Sequence, residues 1–404
     1  MAVFSSLATF FRRHKKKLLI TSTVSVSLYF LVHHFVISRI RNFQNALKQE
    51  LFVKEQIKRR FVQTQADCYL TLLALLPVLT SPIVAYLPTE AITSALKRKK
   101  NSKKELGDSL TTENLMAYSE ERNASSIDLS VLLSKSKLEL WQDLKVKSIT
   151  RMLTLIYASS GLLLLTRLQL NILARKSYLE SAIAIAGGSV PPASKDSFNY
   201  FIEQSYLSLS WWLLNNGWVD MADHIERLVE TKFKDINPKT ELSVDTFTIM
   251  LSEINSEMFS DGGALVARSI FPIDYGKLVD TLMNTNPELV NELENKDSNL
   301  VKLVNETNFI FANNFTLNVF FTLVRNGVET LASNLSLTLD PDQVPGRVHK
   351  LATFLASLSV QSSVISDPRN FGEDSEVAGN IYINNLNDVE ALDEFSASIY
   401  SNFE

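Results

Sequence analysis

Residues Lys137–Lys145 read KLELWQDLK. Wound on a helix at about 100° per residue, Leu138 lines up with Ile149, Met152 and Ile156, which predicts a core-facing line. Trp141 falls on the shoulder of that line, about 60° from Leu138. Leu144 lies further round, beside Lys137 and about 100–120° from Leu138. The apolar surface is thus wider than one core stripe requires, with an indole at its edge.

The pattern continues in both directions. Ser134–Ile185 is the longest helical run in the chain. Its uncharged centre, Met152–Thr166, is 15 residues long. A membrane span needs about 20, so this segment reads as the core of a long buried helix. Of 404 residues, 46% are hydrophobic and only 12 are Gly and 11 Pro, which favours long helices over strands and turns. The expected fold class is all-α. A net charge of -4 gives no reason to invoke a nucleic-acid partner. The single cysteine, Cys68, permits no intramolecular disulfide and suits a reducing compartment. The sequons at Asn123, Asn305, Asn314 and Asn334 matter only if the chain faces a secretory lumen.

The N-terminus carries a different signal. Between Lys17 and Arg39 lie 21 residues without Asp, Glu, Lys or Arg. As a helix they span ~31 Å, the thickness of a hydrocarbon core. A cleavable signal peptide has a shorter apolar region and a small-residue cleavage site. A transit peptide would be amphipathic and Arg-rich. The segment reads as a retained anchor, giving a basic tail at 1–17, a transmembrane helix at 18–38 and a helical domain at 39–404. Arg12, Arg13, Lys15, Lys16 and Lys17 before the span are matched by Arg39, Arg41, Lys48, Lys54 and Lys58 after it, so charge does not orient it. The apolar stretch Cys68–Thr89 contains Pro77, Pro82 and Pro88. Proline removes a backbone donor and clashes with the preceding turn, so the helix from Arg39 is expected to end near Leu76.

A short helix is expected over Thr89–Leu96. Residues 97–130 are polar and charged, with six Lys or Arg in 97–104, and read as a flexible insert. After the Gly- and Pro-rich loop Ala186–Asp196, helices are expected over Phe198–Phe233, with Trp211, Trp212 and Trp218 as core aromatics, and over Ser243–Phe259. Asp261–Lys277 reads as irregular. Further helices are expected over Leu278–Met283, Pro287–Asn305, Asn308–Leu339 and Val348–Ile365. A terminal amphipathic helix, Asn387–Phe403, presents Val389, Leu392, Phe395, Ile399 and Tyr400 on one face.

No nucleotide-binding, hydrolase or zinc motif occurs. Asp220 and His224, at i and i+4, could share a metal, but two ligands on one helix equally describe an exposed face. A membrane-bound enzyme using this pair or the basic insert is the reading this leaves open. No cofactor is expected.

Trp141 itself admits two readings. It packs against another helix of its own domain, or it forms one wall of a docking site in which the aromatic supplies contact area and a lysine meets an acidic residue. Here the chain resembles a known family, peroxin-3. The resemblance rests on FFRRHKKK at Phe10–Lys17 followed by a span, CYLTLLALLP at Cys68–Pro77, AITSALK at Ala91–Lys97, KLELWQDLKVKSITR at Lys137–Arg151, LLLLTRLQLNIL at Leu162–Leu173 and the final DVEALDEFSASIYSNF. It implies an N-terminally anchored protein of the peroxisomal membrane with one cytosolic all-helical domain. It implies docking of peroxin-19, the soluble receptor for new peroxisomal membrane proteins, through an amphipathic helix of that partner. The family's groove residues fall on Trp141, Lys137, Leu144, Leu96 and Lys97. Fungal relatives also resemble anchors for organelle-inheritance and pexophagy adaptors.

Overall fold

The computed structural model describes residues 38–105, 129–185, 193–342, 347–368 and 380–402. The expected tail at 1–17 and all of the expected span except Ser38 lie outside them. The chain divides into two units, Met1–Gln63 and Thr64–Glu404. The first helix, α1 (Ser38–Tyr86), carries the chain from one to the other. In the first unit it bears an Arg59–Glu55 ion pair of 3.2 Å, one turn apart.

The second unit is a helical bundle organised around one element. After α2 (Thr89–Glu105) and the short α3 (Leu129–Ser134) comes α4 (Lys137–Ile185), 49 residues long. From Leu144 to Gln169 nearly every side chain of α4 is buried, on all faces. A helix apolar all round must be surrounded, and the rest of the unit does this. The segments Lys54–Lys99 and Lys137–Ile183 are each long and apolar enough to cross a membrane, but the apolar window of the latter is wholly buried in the protein.

The surrounding elements are α5 (Ala193–Ser208), a π-helical turn (Leu213–Gly217), α6 (Trp218–Lys232), α7 (Val244–Met258), α8 (Ala264–Ile270), α9 (Tyr275–Thr285), a 3₁₀ segment (Pro287–Glu294), α10 (Asn299–Phe311), α11 (Asn314–Leu339), α12 (Leu351–Ser366), α13 (Ile381–Asn387) and α14 (Glu390–Tyr400). The only strands among the described residues are β1 (Glu241–Leu242) and β2 (His349–Lys350), an antiparallel pair in which Glu241 faces Lys350.

Hydrogen bonds fix how α1 lies on α4. Cys68 Sγ meets the Thr166 carbonyl at 3.8 Å, and Arg151 Nη1 donates to the Leu87 carbonyl at 3.5 Å. One numbering rises as the other falls, so the helices are antiparallel. Arg151, almost fully buried, grips Glu90 of α2 through two bonds of 2.7 Å. Burial raises the Glu90 pKa, but the Arg151 guanidinium outweighs it and holds the carboxyl below its usual range. Arg167 ties α4 to the C-terminus, donating to Asn387 at 2.8 Å and Asp393 at 3.2 Å. α11 crosses α4 where Gly327 leaves room: a Cβ there would sit 2.6 Å from Ile156 Cγ2.

Several expectations need correction. α1 does not stop at Leu76 but runs through Pro77 and Pro82 to Tyr86. The lost backbone bonds are offset by a line of buried residues, Leu72, Leu76, Leu79 and Ile83. Helix enters both ends of the expected insert: α2 reaches Glu105 and α3 starts at Leu129, while 106–128 lie outside the described residues. Asp261–Lys277 is not irregular throughout. Asp261 accepts from the Gly263 and Leu265 amides at 2.9 Å and starts α8. Phe198–Phe233 is broken by a turn at Leu209 and Ser210, and Pro287–Asn305 by residues 295–298. At the C-terminus, Leu392, Phe395, Ile399 and Tyr400 are buried as expected.

Candidate functional site

The start of α4 is fixed by its own sequence. Ser136 is the N-cap: its hydroxyl accepts from the Glu139 amide at 3.2 Å, and the Glu139 carboxylate accepts from the Ser136 amide at 2.5 Å. This reciprocal pair is a capping box, readable from the S-x-x-E spacing. Hydrogen bonds from the Ser136 backbone, then its hydroxyl, hold the Glu139 carboxyl below its usual pKa. Lys135 forms an ion pair of 2.6 Å with Asp143, and Lys99 of α2 donates to the Lys135 carbonyl.

The structure inverts the expected faces. Leu138 is 74% exposed and points away from the core, whereas Leu140 and Leu144 are buried. Leu138 is therefore not the head of the core line. Ile149, Met152 and Ile156 are buried, but they lie where neighbours surround α4 completely. At the helix start only one side is covered. Trp141 is half-buried and packs against the core edge. On the helical wheel it stands about 60° from Leu138 and about 60° from Leu144, between the outward and inward lines.

Leu96 of α2 is buried in the same core cluster as Leu140 and Leu144. The expected contact residues thus divide into two kinds. Leu96 and Leu144 are buried apolar residues of the core cluster. Lys97 and Lys137 are exposed, and neither has an ion pair or hydrogen bond among the described residues. Lys137 is one turn before Trp141, so its ammonium can reach a group lying over the indole.

Sequence reasoning missed Lys145. This lysine is 1% exposed, and its ammonium donates to the Phe233 carbonyl at 2.5 Å and the Ile236 carbonyl at 2.9 Å. It binds the carbonyls just past the C-terminus of α6, where a cation also suits the helix dipole. Burial lowers its pKa, opposed by the nearby Asp235 charge. Nothing in the local pattern distinguishes this lysine from a solvated one. On the other flank of α4, a hollow of ≈ 460 Å³ is lined by Gln142, Asp143, Val146, Lys147, Glu226 and Glu230 among others, and Trp141 does not line it.

The alternative pair is otherwise engaged. Asp220 lies 3.9 Å from Lys277, and His224 lies 3.5 Å from Arg227. Among the described residues no three His, Cys, Asp or Glu side chains gather as a metal would require. Trp212 and Trp218 are buried, and Trp212 Nε1 donates to the Arg268 carbonyl at 3.1 Å.

Comparison with known proteins adds an independent line. The family model described as Peroxin-3 matches residues 9–402. A protein of Debaryomyces hansenii named peroxisomal biogenesis factor 3 is 53% identical, covering 100% of both chains. The peroxisomal membrane protein PEX3 of Komagataella pastoris is 34% identical over 97% of this chain and 98% of its own. The Saccharomyces cerevisiae peroxisomal biogenesis factor 3 is 30% identical over 97% and 95%.

Proposed function

The chain belongs to the peroxin-3 family of peroxisomal biogenesis factors, and on that premise we propose that it is the membrane receptor on which peroxin-19 docks. It is held in the peroxisomal membrane by a single N-terminal span over 18–38, with residues 39–404 in the cytosol. The uncharged N-terminal run and the printed name of the Komagataella relative support this placement. Its work is affinity and release rather than bond chemistry.

The observation that carries the reading is the half-exposed indole of Trp141, on a capped helix start one turn after Lys137, an exposed lysine without an ion pair or hydrogen bond among the described residues. A capped turn is already ordered, so binding costs less conformational entropy there than on a loop. An indole at the edge of a desolvated contact is the kind of side chain that dominates binding energies.

The test is calorimetry with the full chain in detergent micelles and purified peroxin-19. Trp141→Ala is expected to cost ~2 kcal/mol or more, about a thirtyfold loss of affinity. Circular dichroism confirms that the variant folds. A binding constant unmoved in a folded variant returns Trp141 to edge packing and removes the reading's physical basis.

A further inference from the structure

A second hollow, of ≈ 470 Å³, lies where the π-helical turn and α6 meet α9, and none of its lining residues belongs to α2 or α4. Its aromatic wall is Trp212. The indole is held from behind. Its Nε1 donates to the Arg268 carbonyl at 3.1 Å, and Gly217 leaves it room, since a Cβ there would come within 2.9 Å of Nε1. A π-helical turn widens the backbone locally and is frequent at functional sites. Here it fixes an indole with one face toward the hollow.

Lys277 of α9 covers that face, its ammonium 4.9 Å from the ring centroid. Asp220 and Asp280 line the hollow with it, and Asp274 stands 3.7 Å from the same ammonium. Three carboxylates thus accompany one cation, and the charge left over is negative. Lys277 is loosely seated. Its distances to Asp274 and Asp220, 3.7 and 3.9 Å, are longer than a hydrogen bond. It lies in the first turn of α9, where the helix dipole disfavours a positive charge. The mouth is open: the Asp220 and Asp274 side chains are more than half exposed, and a Cβ on Gly276 would meet nothing within 4 Å.

We propose that this hollow binds an arginine side chain on an exposed segment of a partner protein, and that Lys277 is the internal cation which that side chain displaces. A guanidinium is planar, stacks on an aromatic face and forks two parallel N–H donors onto a carboxylate. The indole of Trp212 supplies the face, and Asp220 and Asp280 supply the carboxylates. An ammonium makes the cation–π contact but cannot fork, so arginine is preferred to lysine. An anionic group meets the surplus carboxylates and is repelled. Because the mouth is open, the head of one side chain fills the hollow while the partner's backbone stays outside, over the exposed Asn216 and Gly276. The site uses no residue of the α4 start and stands whether or not peroxin-19 docks there.

The experiment titrates the full chain in detergent micelles against the peptide Gly-Ser-Arg-Ser-Gly carrying a neutral dye, followed by fluorescence anisotropy. The same peptide with lysine, or with citrulline, the uncharged isostere of arginine, serves as comparison. Lys277→Ala clears the indole face and removes the competing charge, so the arginine peptide is expected to bind about tenfold tighter, with the thermal transition in place. Asp220→Asn combined with Asp280→Asn, both at exposed positions, is expected to weaken binding about tenfold. Tighter binding in Lys277→Ala together with loss of binding by the citrulline peptide supports the proposal. Equal affinity for the citrulline or the lysine peptide overturns it. So does weaker binding in Lys277→Ala, or no binding of the arginine peptide to either the wild type or that variant.

Discussion

Replacing Lys145 by methionine isolates one buried ammonium that holds two helices together. The side chain is 1% exposed and its stem is packed, so methionine fills the space without a large void. What is lost are the donors to Phe233 and Ile236. Hydrogen bonds to a charged group contribute about 1.5–3 kcal/mol each, and a carbonyl left buried without a donor costs about 1–3 kcal/mol. Against this stands relief from burying the charge, which can make an apolar replacement neutral or stabilising. The carbonyls decide the balance, because they remain buried after the ammonium is gone. Lys145→Met is therefore expected to destabilise the protein by about 2 kcal/mol at neutral pH. Lys145→Ala, which also opens a cavity, should cost roughly 4 kcal/mol.

Urea unfolding followed by far-ultraviolet circular dichroism measures both values. The pH dependence gives a second check. Burial places the folded-state pKa of Lys145 below its ordinary value. Between the two values the unfolded chain carries the extra proton, so wild-type stability gains from this group as pH rises toward the ordinary lysine range. Tyr157, Tyr206 and Tyr382, whose pKa values burial raises, work in the opposite direction. They are present in both proteins and cancel in the difference. The stability gap between wild type and Lys145→Met should therefore widen from neutral to alkaline pH. A methionine variant as stable as the wild type would show that the ammonium is a burden rather than a clamp. A gap that narrows with pH would refute the lowered pKa.

Two further outcomes follow from particular contacts. Burial pushes the Cys68 thiol from 9.0 up to about 12, so its contribution to stability is complete below pH 9 and is lost as pH climbs toward 12; as the chain's only cysteine, it should react with a maleimide dye at pH 8 only at the rate of unfolding, and prompt labelling of the native protein would contradict its burial. Gly217→Ala would bring a Cβ to 1.9 Å from the Ser269 carbonyl oxygen, so the π-helical turn must shift; a loss of about 3 kcal/mol or more in urea unfolding is expected, and an unchanged transition would mean α6 and α8 are not so closely apposed.

The long helices were legible because their apolar residues repeat over many turns. α4, α12 and the buried face of α14 follow the periodic pattern to within a few residues. α1 was cut short because a proline's cost is visible in the sequence while its compensation is not. The leucines that hold α1 past Pro77 and Pro82 are ordinary apolar residues until their neighbours are known. α8 was missed for a different reason. Seven residues are too few for a period, and its start depends on Asp261 caps and a left-handed Gly263 with φ 78°. Lys145 could not be found at all, since its carbonyl partners lie about ninety residues away in the chain.

The direction of Leu138 was misread by an averaging error with a physical cause. A helical wheel over 137–156 assumes that the same neighbours flank every turn. They do not. Along the middle of α4 the cover is complete, so any direction on the wheel looks inward. At its start α2 packs against α4 and Leu140 and Leu144 are buried, while Leu138 is left in solvent. Trp141 belongs to both, with one edge on the core and the other free. A site of this kind arises wherever a helix buried on all sides extends past the helices that bury it. Its outermost turns keep core-like side chains but lose part of their cover.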